Sequence, residues 1–376
     1  MNKIYISNLL DYLLIAIISA IIVLSPWPYG SVGIFAQFYI HLASFLLLLI
    51  WLIKRSFYSK DINSSSVYTS LLCFFGLAFI SITYSIYRYA SILEFLNWFS
   101  YLIIFFIVAD TINCSKRRNL LLWIIVFVGL FYCGFGILQY YEYLSSKFWS
   151  QEHSLSSRYI NSGSFGAYIN LDFFLCLGLL LSSKGVFRKF ILGLALIVFI
   201  VTLILSNSRL SWITFVITLI GLTFLLFKNL NSVKTKSLVS ALIFGIILAS
   251  AGWYFWPRIW ERISVAQTTQ FQSLFQRFDV WKGALKIILA YPFGSGIGTF
   301  QYIYPAFRVH SDRFLVDTAH SDLLQIASEV GILGLICFLW FLKSLLVRAF
   351  RCLKEEISRQ DLLFYLGIIC ALVSFL

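Results

Sequence analysis

One histidine stands where its imidazole could act as a general base. His320 lies in the segment Ala319-His320-Ser321-Asp322-Leu323-Leu324-Gln325, directly before an apolar run. An imidazole changes its protonation state near neutral pH, so it can take a proton from a hydroxyl group under physiological conditions. The structural alternative is an interfacial histidine at the mouth of a membrane helix.

The residues after His320 place polar side chains along one face of a predicted helix. At 100° per residue this face covers an arc of roughly 120°, and it consists of Ser321, Asp322, Gln325, Ser328 and Glu329. Such a stripe is not expected to face lipid. On the opposite side, Ala327, Gly331 and Gly334 form a face of small residues that lets another helix approach closely. A stripe that only caps and packs the helix is the alternative to a functional one.

An arginine occupies the apolar face of a short amphipathic helix predicted over residues 277–289. An inward-facing arginine needs an anion, and its planar guanidinium group suits a phosphate through two hydrogen bonds. The structural alternative is an ion pair of Arg277 with Asp279 or Glu261. The predicted apolar face holds Arg277 beside Val280, Trp281, Ala284, Leu285, Ile288 and Leu289, whereas Lys282 and Lys286 point the other way.

A glycine-rich turn, Tyr291-Pro292-Phe293-Gly294-Ser295-Gly296-Ile297-Gly298, follows this helix. Its bare backbone at Gly294, Gly296 and Gly298 could approach an oxyanion. No strand is predicted before it and no Gly-Lys-Ser/Thr follows, so it is neither a Rossmann fingerprint nor a P-loop. The sequence favours a tight turn between two elements.

Two further arginines lie in polar connections. Arg209 follows Ser206-Asn207-Ser208 and opens the apolar run that begins at Leu210. Capping-type residues at a helix N-terminus favour an anion, and a lone arginine at the lipid headgroups is the alternative. Arg158 is a weaker candidate of the same kind.

The composition predicts a membrane protein around these residues. Of the 376 residues, 60% are hydrophobic and 12% are charged, whereas a soluble domain is about half apolar and about a quarter charged. The net charge of +13 does not predict a nucleic-acid partner, because the basic residues form short groups between apolar runs. The seven cysteines and four histidines show no disulfide framework and no metal-ligand spacing, so neither a metal nor a cofactor is expected.

Apolar runs long enough to cross a bilayer divide the chain into about eleven predicted spans. They are Leu9–Ser25, Gly33–Ile53, Val67–Tyr84, Ile92–Ala109, Leu120–Tyr141, Ser164–Leu181, Phe190–Leu205, Leu210–Phe227, Leu238–Trp256, Asp322–Val347 and Asp361–Leu376. The fold class is therefore all-α and polytopic. The last run reaches only about 24 Å of the ~30 Å hydrocarbon core, so we expect either a truncated sequence or a missing final helix.

The basic residues also predict the orientation of the chain. With Lys3 inside, the alternate short connections hold most of the 29 Lys and Arg residues, which predicts a cytoplasmic N-terminus. Residues 1–256 then form nine membrane helices, residues 257–321 an outer loop with short amphipathic helices, and residues 322–376 two further membrane helices. That loop is too aromatic for a disordered segment.

Missing motifs exclude two classes of enzyme. The predicted outer side has no Asp-x-Asp pair of the kind that holds a divalent metal on a nucleotide sugar, and the connection 26–33 contains no carboxylate. These absences argue against a metal-dependent transferase. No Ser/His/Asp spacing indicates a hydrolase.

The order and spacing of these motifs resemble the signature of the O-antigen ligase and Wzy polymerase family. The resemblance covers about residues 190–350 and is strongest in Arg277…Trp281…Pro292-Phe293-Gly294-Ser295-Gly296-Ile297-Gly298-Thr299-Phe300 and in Ala319–Gln325…Glu329-Val330-Gly331-Ile332-Leu333-Gly334. The turn Ser206–Trp212 looks like the family's earlier arginine turn. The segment Arg158…Gly163-Ser164-Phe165…Asn170 is loosely similar to another family motif, with extra residues after the arginine.

The resemblance implies a GT-C-like, metal-independent glycosyltransferase of the bacterial inner membrane with a periplasmic active site. Its donor would be a glycan on undecaprenyl diphosphate, and its acceptor the lipid A core or another lipid-linked glycan. His320 would be the general base, and Arg209, Arg277 and Arg158 would bind the diphosphate, with Gly294, Gly296, Gly298 and Asp322 in support. No carboxylate is placed as a nucleophile, so inversion by direct displacement is expected.

Several alternatives stay open at the level of sequence. The family's ligases often have Thr or Tyr where this chain has Leu335, so a polymerase or a protein-O-glycosylating relative is not excluded. A polytopic transporter or flippase is the alternative from another class. Such a protein is expected to carry ionisable residues near the bilayer midplane and internal repeats; only Asp172 comes close, and no repeat is apparent.

Overall fold

A computed structural model describes residues 3–27, 29–57, 65–112, 114–143, 155–159, 161–229, 277–309, 316–352 and 359–375. These ranges contain helices and turns without a strand, which confirms the predicted all-α class for the described part of the chain. The helices are α1 (Lys3–Leu24), α2 (Ile34–Phe57), α3 (Ser66–Ser81), α4 (Arg88–Thr111), α5 (Ser115–Tyr140), α6 (Ser162–Ser182), α7 (Val186–Leu205), α8 (Arg209–Asn229), α9 (described over 277–290), α10 (Phe300–Phe307), α11 (Asp322–Glu329), α12 (Gly331–Cys352) and α13 (Arg359–Phe375).

Seven of the described helices are long and apolar enough to cross a membrane, namely α1, α2, α4, α5, α6, α7 and α12. Shorter apolar stretches lie in α3, α8 and α13. Large apolar side chains on these helices are exposed, such as Phe35 at 82%, which is the surface expected of a helix in lipid. The chain is a membrane protein. The predicted span Leu238–Trp256 lies outside the described residues, so the total of eleven stays a prediction.

The predicted span Asp322–Val347 is wrong as a single helix. Helix α11 ends at Glu329, and α12 begins at Gly331 with a φ of +87°. Glycine tolerates this left-handed conformation because it has no Cβ. A Cβ at Gly331 would lie 2.4 Å from the carbonyl carbon of Phe293. At Gly331, the predicted small-residue face therefore receives the glycine-rich turn rather than another helix.

One compact unit, unit 1, comprises residues 1–61, 100–233 and 348–376. Ion pairs join its helix ends: Asp11 contacts Lys54 and, at 2.9 Å, Arg117; Arg55 contacts Asp110 at 3.0 Å; and Arg118 contacts Asp361 at 3.7 Å. These contacts bring together one end each of α1, α2, α4, α5 and α13. The predicted alternation of membrane passes requires this arrangement.

The remaining helices of unit 1 pack closely around α6. A Cβ at Gly367 of α13 would lie 2.4 Å from the Cα of Gly178 in α6, so these helices cross through small residues. The Asn170 side chain donates to the Ser211 carbonyl at 2.8 Å and to the Thr214 hydroxyl at 3.0 Å. These bonds hold α6 against the first turn of α8.

A second unit, unit 2, comprises residues 62–99 and 234–347. Its described core consists of Val280, Ala284, Ile287, Phe300, Ile303, Tyr304 and Ala319. The predicted apolar face of α9 is wrong in part, because Ile287 is buried whereas Leu285 and Leu289 are 51% and 83% exposed. The reason is local fit, since a Cβ at Gly283 would lie 2.6 Å from the Tyr304 ring. Helix α9 therefore packs through the face that contains Val280, Gly283, Ala284 and Ile287.

Candidate active site

The glycine-rich turn of unit 2 wraps around a carboxylate of its own chain. The Gly298 N–H donates to Glu329 Oε2 at 2.7 Å, and the Phe300 N–H donates to Oε1 at 3.1 Å. The Gly296 N–H donates to the main-chain carbonyl of Glu329 at 2.9 Å. Gly294, Gly296 and Gly298 have φ values of +93°, +106° and +74°. The amide groups of Gly296 and Gly298 are thus used within the protein, where they fix the end of α11.

Glu329 is 5% exposed and has an unusual acidity for a glutamate. Burial raises its pKa to about 7, while the N–H groups of Gly298 and Phe300 and the Gln325 side chain lower it, and the nearby Glu94 raises it further. Its carboxyl group therefore changes charge near neutral pH. The predicted polar stripe is confirmed as a buried face at Ser328 and Glu329.

A chain of hydrogen bonds runs from this carboxylate to the residue before His320. Gln325 Nε2 donates to Glu329 Oε1 at 2.7 Å, and the Ala319 N–H donates to Gln325 Oε1 at 2.8 Å. His320 itself has a φ of +50°, a left-handed conformation that is uncommon outside glycine. Its side chain is exposed directly before α11.

His320 and Arg277 interact within unit 2. The pKa of His320 is lowered, first because neighbouring groups partly desolvate the ring and second because of the positive charge of Arg277, against an opposing effect of Asp317. A lowered pKa keeps the imidazole neutral over a wider pH range, and the neutral form is the one that accepts a proton. The structure thus brings together two of the four residues predicted for catalysis and diphosphate binding.

The guanidinium group of Arg277 is not consumed by a described ion pair. Among the residues that the structure describes, no carboxylate lies within 4.0 Å of it, and Asp279 pairs with Lys282 at 3.6 Å instead. The other predicted partner, Glu261, lies outside the described residues. One turn further along α9, the buried indole N–H of Trp281 has no hydrogen-bond partner in the described ranges. With respect to the part of the chain that the structure describes, both groups have donors left for an anion.

Arg209 and Arg158 belong to unit 1. Arg209 is the first residue of α8, and Ser208 caps that helix by accepting from the Ser211 N–H at 3.4 Å. The guanidinium carbon of Arg158 lies 4.3 Å from the Trp27 ring centre and 4.4 Å from that of Phe135. The guanidinium group of Arg158 thus makes cation–π contacts with two aromatic rings.

Both unit 1 arginines lie at the same end of that unit. The Leu155 N–H donates to the Leu205 carbonyl at 3.2 Å, which places the Arg158 segment beside the turn before Arg209. Because His320 and Arg277 are in unit 2, the assembly of all four residues into one pocket stays a prediction. Asp322 lies exposed in the first turn of α11, where its charge complements the helix dipole.

Sequence reasoning missed the connection between α3 and α4, residues 82–87, which supports the glycine-rich turn. The Tyr84 hydroxyl donates to the Phe293 carbonyl at 2.7 Å, and the Ile86 N–H donates to the Ser295 carbonyl at 3.0 Å. These residues connect α3 to α4, far from the turn in the sequence. A signal existed only for Glu329, as a buried acid on a polar stripe. Within the described part of the chain, no group of three or more His, Cys, Asp or Glu residues could hold a metal.

Comparison with known proteins shows which family this region is similar to. Residues 194–339 match the family model described as O-Antigen ligase (Wzy_C). The matched stretch includes α8, the glycine-rich turn, His320 and Arg277, so the predicted family resemblance is confirmed there.

One relative is similar to this chain over a longer stretch. The "Teichuronic acid biosynthesis protein TuaE" of Bacillus subtilis (strain 168) is 24% identical over an alignment of 293 residues that covers 73% of this chain. The matched stretch covers 59% of that relative's length.

Proposed function

We propose that this protein is a metal-independent, inverting glycosyltransferase of surface polysaccharide biosynthesis. It transfers a glycan from undecaprenyl diphosphate to an acceptor hydroxyl at the periplasmic face of the bacterial inner membrane. The carrying observation is the interaction of His320 with Arg277 inside the region that matches the O-Antigen ligase model. The name of the relative, a teichuronic acid biosynthesis protein, supports a polysaccharide product.

In this proposal neutral His320 takes the proton of the acceptor hydroxyl. The acceptor oxygen bonds to the anomeric carbon while the bond from that carbon to the phosphate oxygen breaks, and the diphosphate leaves with the electron pair. The proton on His320 then passes to solvent, which the exposed ring reaches. General bases contribute roughly 10² to 10⁴-fold, so positioning and charge stabilisation supply the remaining acceleration.

Arg277 stabilises the charge that develops on the leaving diphosphate. Its guanidinium group has no described carboxylate partner, and the Trp281 indole N–H one turn away is an additional donor. An arginine can form two parallel hydrogen bonds with a phosphate. We assign the same role to Arg209 and, on its aromatic platform, Arg158.

The proposal is tested with the purified full chain and an undecaprenyl-diphosphate-linked glycan. The lipid A core and a second copy of the donor are supplied as separate acceptors, and both the product and the released undecaprenyl diphosphate are measured. Product identity separates a ligase from a polymerase. Release without product in either reaction would contradict transfer, and movement of intact donor across a vesicle membrane would favour the flippase alternative.

The variant His320→Ala tests the role of the base in the same assay. We expect it to abolish transfer with the protein still inserted in the membrane, whereas His41→Ala on α2 retains wild-type rates. Full transfer by His320→Ala would refute the proposed mechanism.

A further inference from the structure

We propose that Gln325 and Glu329 are positioning residues that hold His320 in its catalytic orientation. The inference rests on the proposed function, because it assigns these side chains a role through His320. Neither has to touch the substrate. Gln325 grips the main chain on both sides of His320, and Glu329 anchors Gln325.

The grip of Gln325 is two-sided. Its side-chain oxygen accepts from the N–H of Ala319 at 2.8 Å, and its own main-chain N–H donates to the Ser321 carbonyl at 2.9 Å. Ala319 and Ser321 are the two neighbours of His320. A left-handed φ outside glycine persists only where the surroundings determine it, and these two bonds act directly on either side of the +50° residue.

The direction of each bond in the chain is fixed by chemistry. A main-chain N–H can only donate, so Gln325 Oε1 must face Ala319. The amide nitrogen then faces Glu329 and donates to its carboxylate at 2.7 Å. An amide is therefore required at position 325, because a carboxylate there would oppose an ionised Glu329 and a hydrocarbon would satisfy neither partner.

Glu329 connects Gln325 to the glycine-rich turn of unit 2. Its two carboxylate oxygens accept from the N–H groups of Gly298 and Phe300, and it is almost fully buried. The charged group that acts on it is Glu94, and those that act on His320 are Arg277 and Asp317. The glycine-rich turn thus sets the position of the imidazole through three successive hydrogen-bonded residues.

The first experiment uses Gln325→Met in the full chain, with Gln301→Met on α10 as the matched control. Methionine keeps the length of the side chain and the helix but removes both side-chain hydrogen bonds. We expect kcat to fall about 10- to 100-fold, since a small misplacement of a catalytic group has that effect, while the donor KM changes by less than about twofold. The control should match the wild type in both quantities.

A second readout follows the imidazole without substrate. The chain has only four histidines, so nitrogen-15-labelled histidine gives few signals, and His320→Ala assigns the relevant one. In Gln325→Met we expect the pKa of His320 to move back towards its ordinary value, because a ring that is no longer held in place is less desolvated and lies farther from the charge of Arg277. The His41 signal should not move. An unchanged His320 titration together with an unchanged kcat would overturn the proposal.

A further variant separates positioning from general stability. Gln325→Glu still accepts from the Ala319 N–H, but it opposes Glu329 unless that carboxyl is protonated. Because the pKa of Glu329 is about 7, transfer by Gln325→Glu, relative to wild type at the same pH, should improve severalfold as the pH falls below 7. A ratio that is independent of pH would overturn the proposed link between the two residues.

The two proposals fail in different ways. If the His320 signal responds to Gln325→Met but transfer is unaffected by His320→Ala, positioning holds and the proposed function fails. If His320→Ala abolishes transfer while Gln325→Met changes neither the signal nor kcat, the function stands and the positioning inference fails. Should Gln325→Met not insert, Gln325→Glu supplies both readouts.

Discussion

Burying Glu329 makes the stability of the protein depend on pH in an unusual direction. The pKa of this carboxyl rises from 4.5 to about 7 on folding, so between those values the folded state binds more protons than the unfolded state. The contribution of Glu329 to stability is therefore complete below pH 4.5 and is lost as the pH rises from 4.5 through about 7. At about 1.4 kcal/mol per pH unit, the difference corresponds to about 3 kcal/mol.

The variant Glu329→Gln removes this titration. Its amide accepts with one oxygen only, so one of the N–H groups of Gly298, Phe300 or Gln325 meets another donor, at a cost of about 1–3 kcal/mol. We expect the variant to be clearly less stable than wild type at pH 5. Between pH 5 and pH 8 the stability of the wild type should fall by about 2.5 kcal/mol relative to the variant, which removes most or all of the deficit, because the wild type then carries a buried charge.

The assay is unfolding of the full chain in detergent at pH 5, 6, 7 and 8, followed by tryptophan fluorescence. Other titrating groups are shared by both proteins and cancel in the difference between them. Glu142→Gln, at an exposed position after α5, is the control and should show no pH-dependent difference. A Glu329→Gln deficit that stays the same from pH 5 to pH 8 would refute the reasoning.

Three further predictions concern the site and its frame. Arg277→Lys keeps the charge but loses the pair of parallel hydrogen bonds to a phosphate, so the transfer rate should fall about 10-fold or more. Lys282→Arg on the exposed face is the control. A wild-type rate for Arg277→Lys would indicate that this arginine is structural. Gly331→Ala places a Cβ 2.4 Å from the main chain of Phe293 on a residue with a φ of +87°, so it should lower the free energy of unfolding by about 2 kcal/mol or more. Gly193 has open space around it, so Gly193→Ala should not lower the free energy of unfolding in this way. In wild type, kcat/KM should fall with decreasing pH through an apparent pKa below 6.5, because His320 must be neutral to act. A decrease in kcat/KM with an apparent pKa above 6.5 would argue against the lowered pKa of His320.

Much of the fold is predictable because hydropathy is local. The apolar runs mark the helices, and the basic residues between them mark which helix ends lie together, as the ion pairs of Asp11 with Lys54 and Arg117 show. The helix break at Gly331 is not visible this way, since the apolar run continues through it. The break is caused by the positive φ of Gly331 and by the close approach of the Phe293 main chain, which is far from Gly331 in the sequence.

The candidate site, like the fold, has a part that the sequence predicts and a part that depends on contacts between distant residues. Residue types and spacing identified His320 and Arg277, and in the structure the charge of Arg277 is one of the causes, after desolvation, that lower the pKa of His320. The partners of Glu329 could not be predicted, because Gly298 lies 31 positions away and contributes its main chain rather than a recognisable side chain. Likewise, the buried face of α9 depends on how Gly283 fits Tyr304, which no periodicity encodes.

The carboxylate in the glycine-rich turn also acts as a built-in competitor. A tethered acid is present beside the Gly298 and Phe300 amides at an effective concentration far above that of any dissolved anion. A phosphate or diphosphate from solution would have to displace the buried Glu329 carboxylate from these two amides. In the proposed mechanism, binding of the donor's diphosphate therefore falls to the guanidinium groups of the arginines.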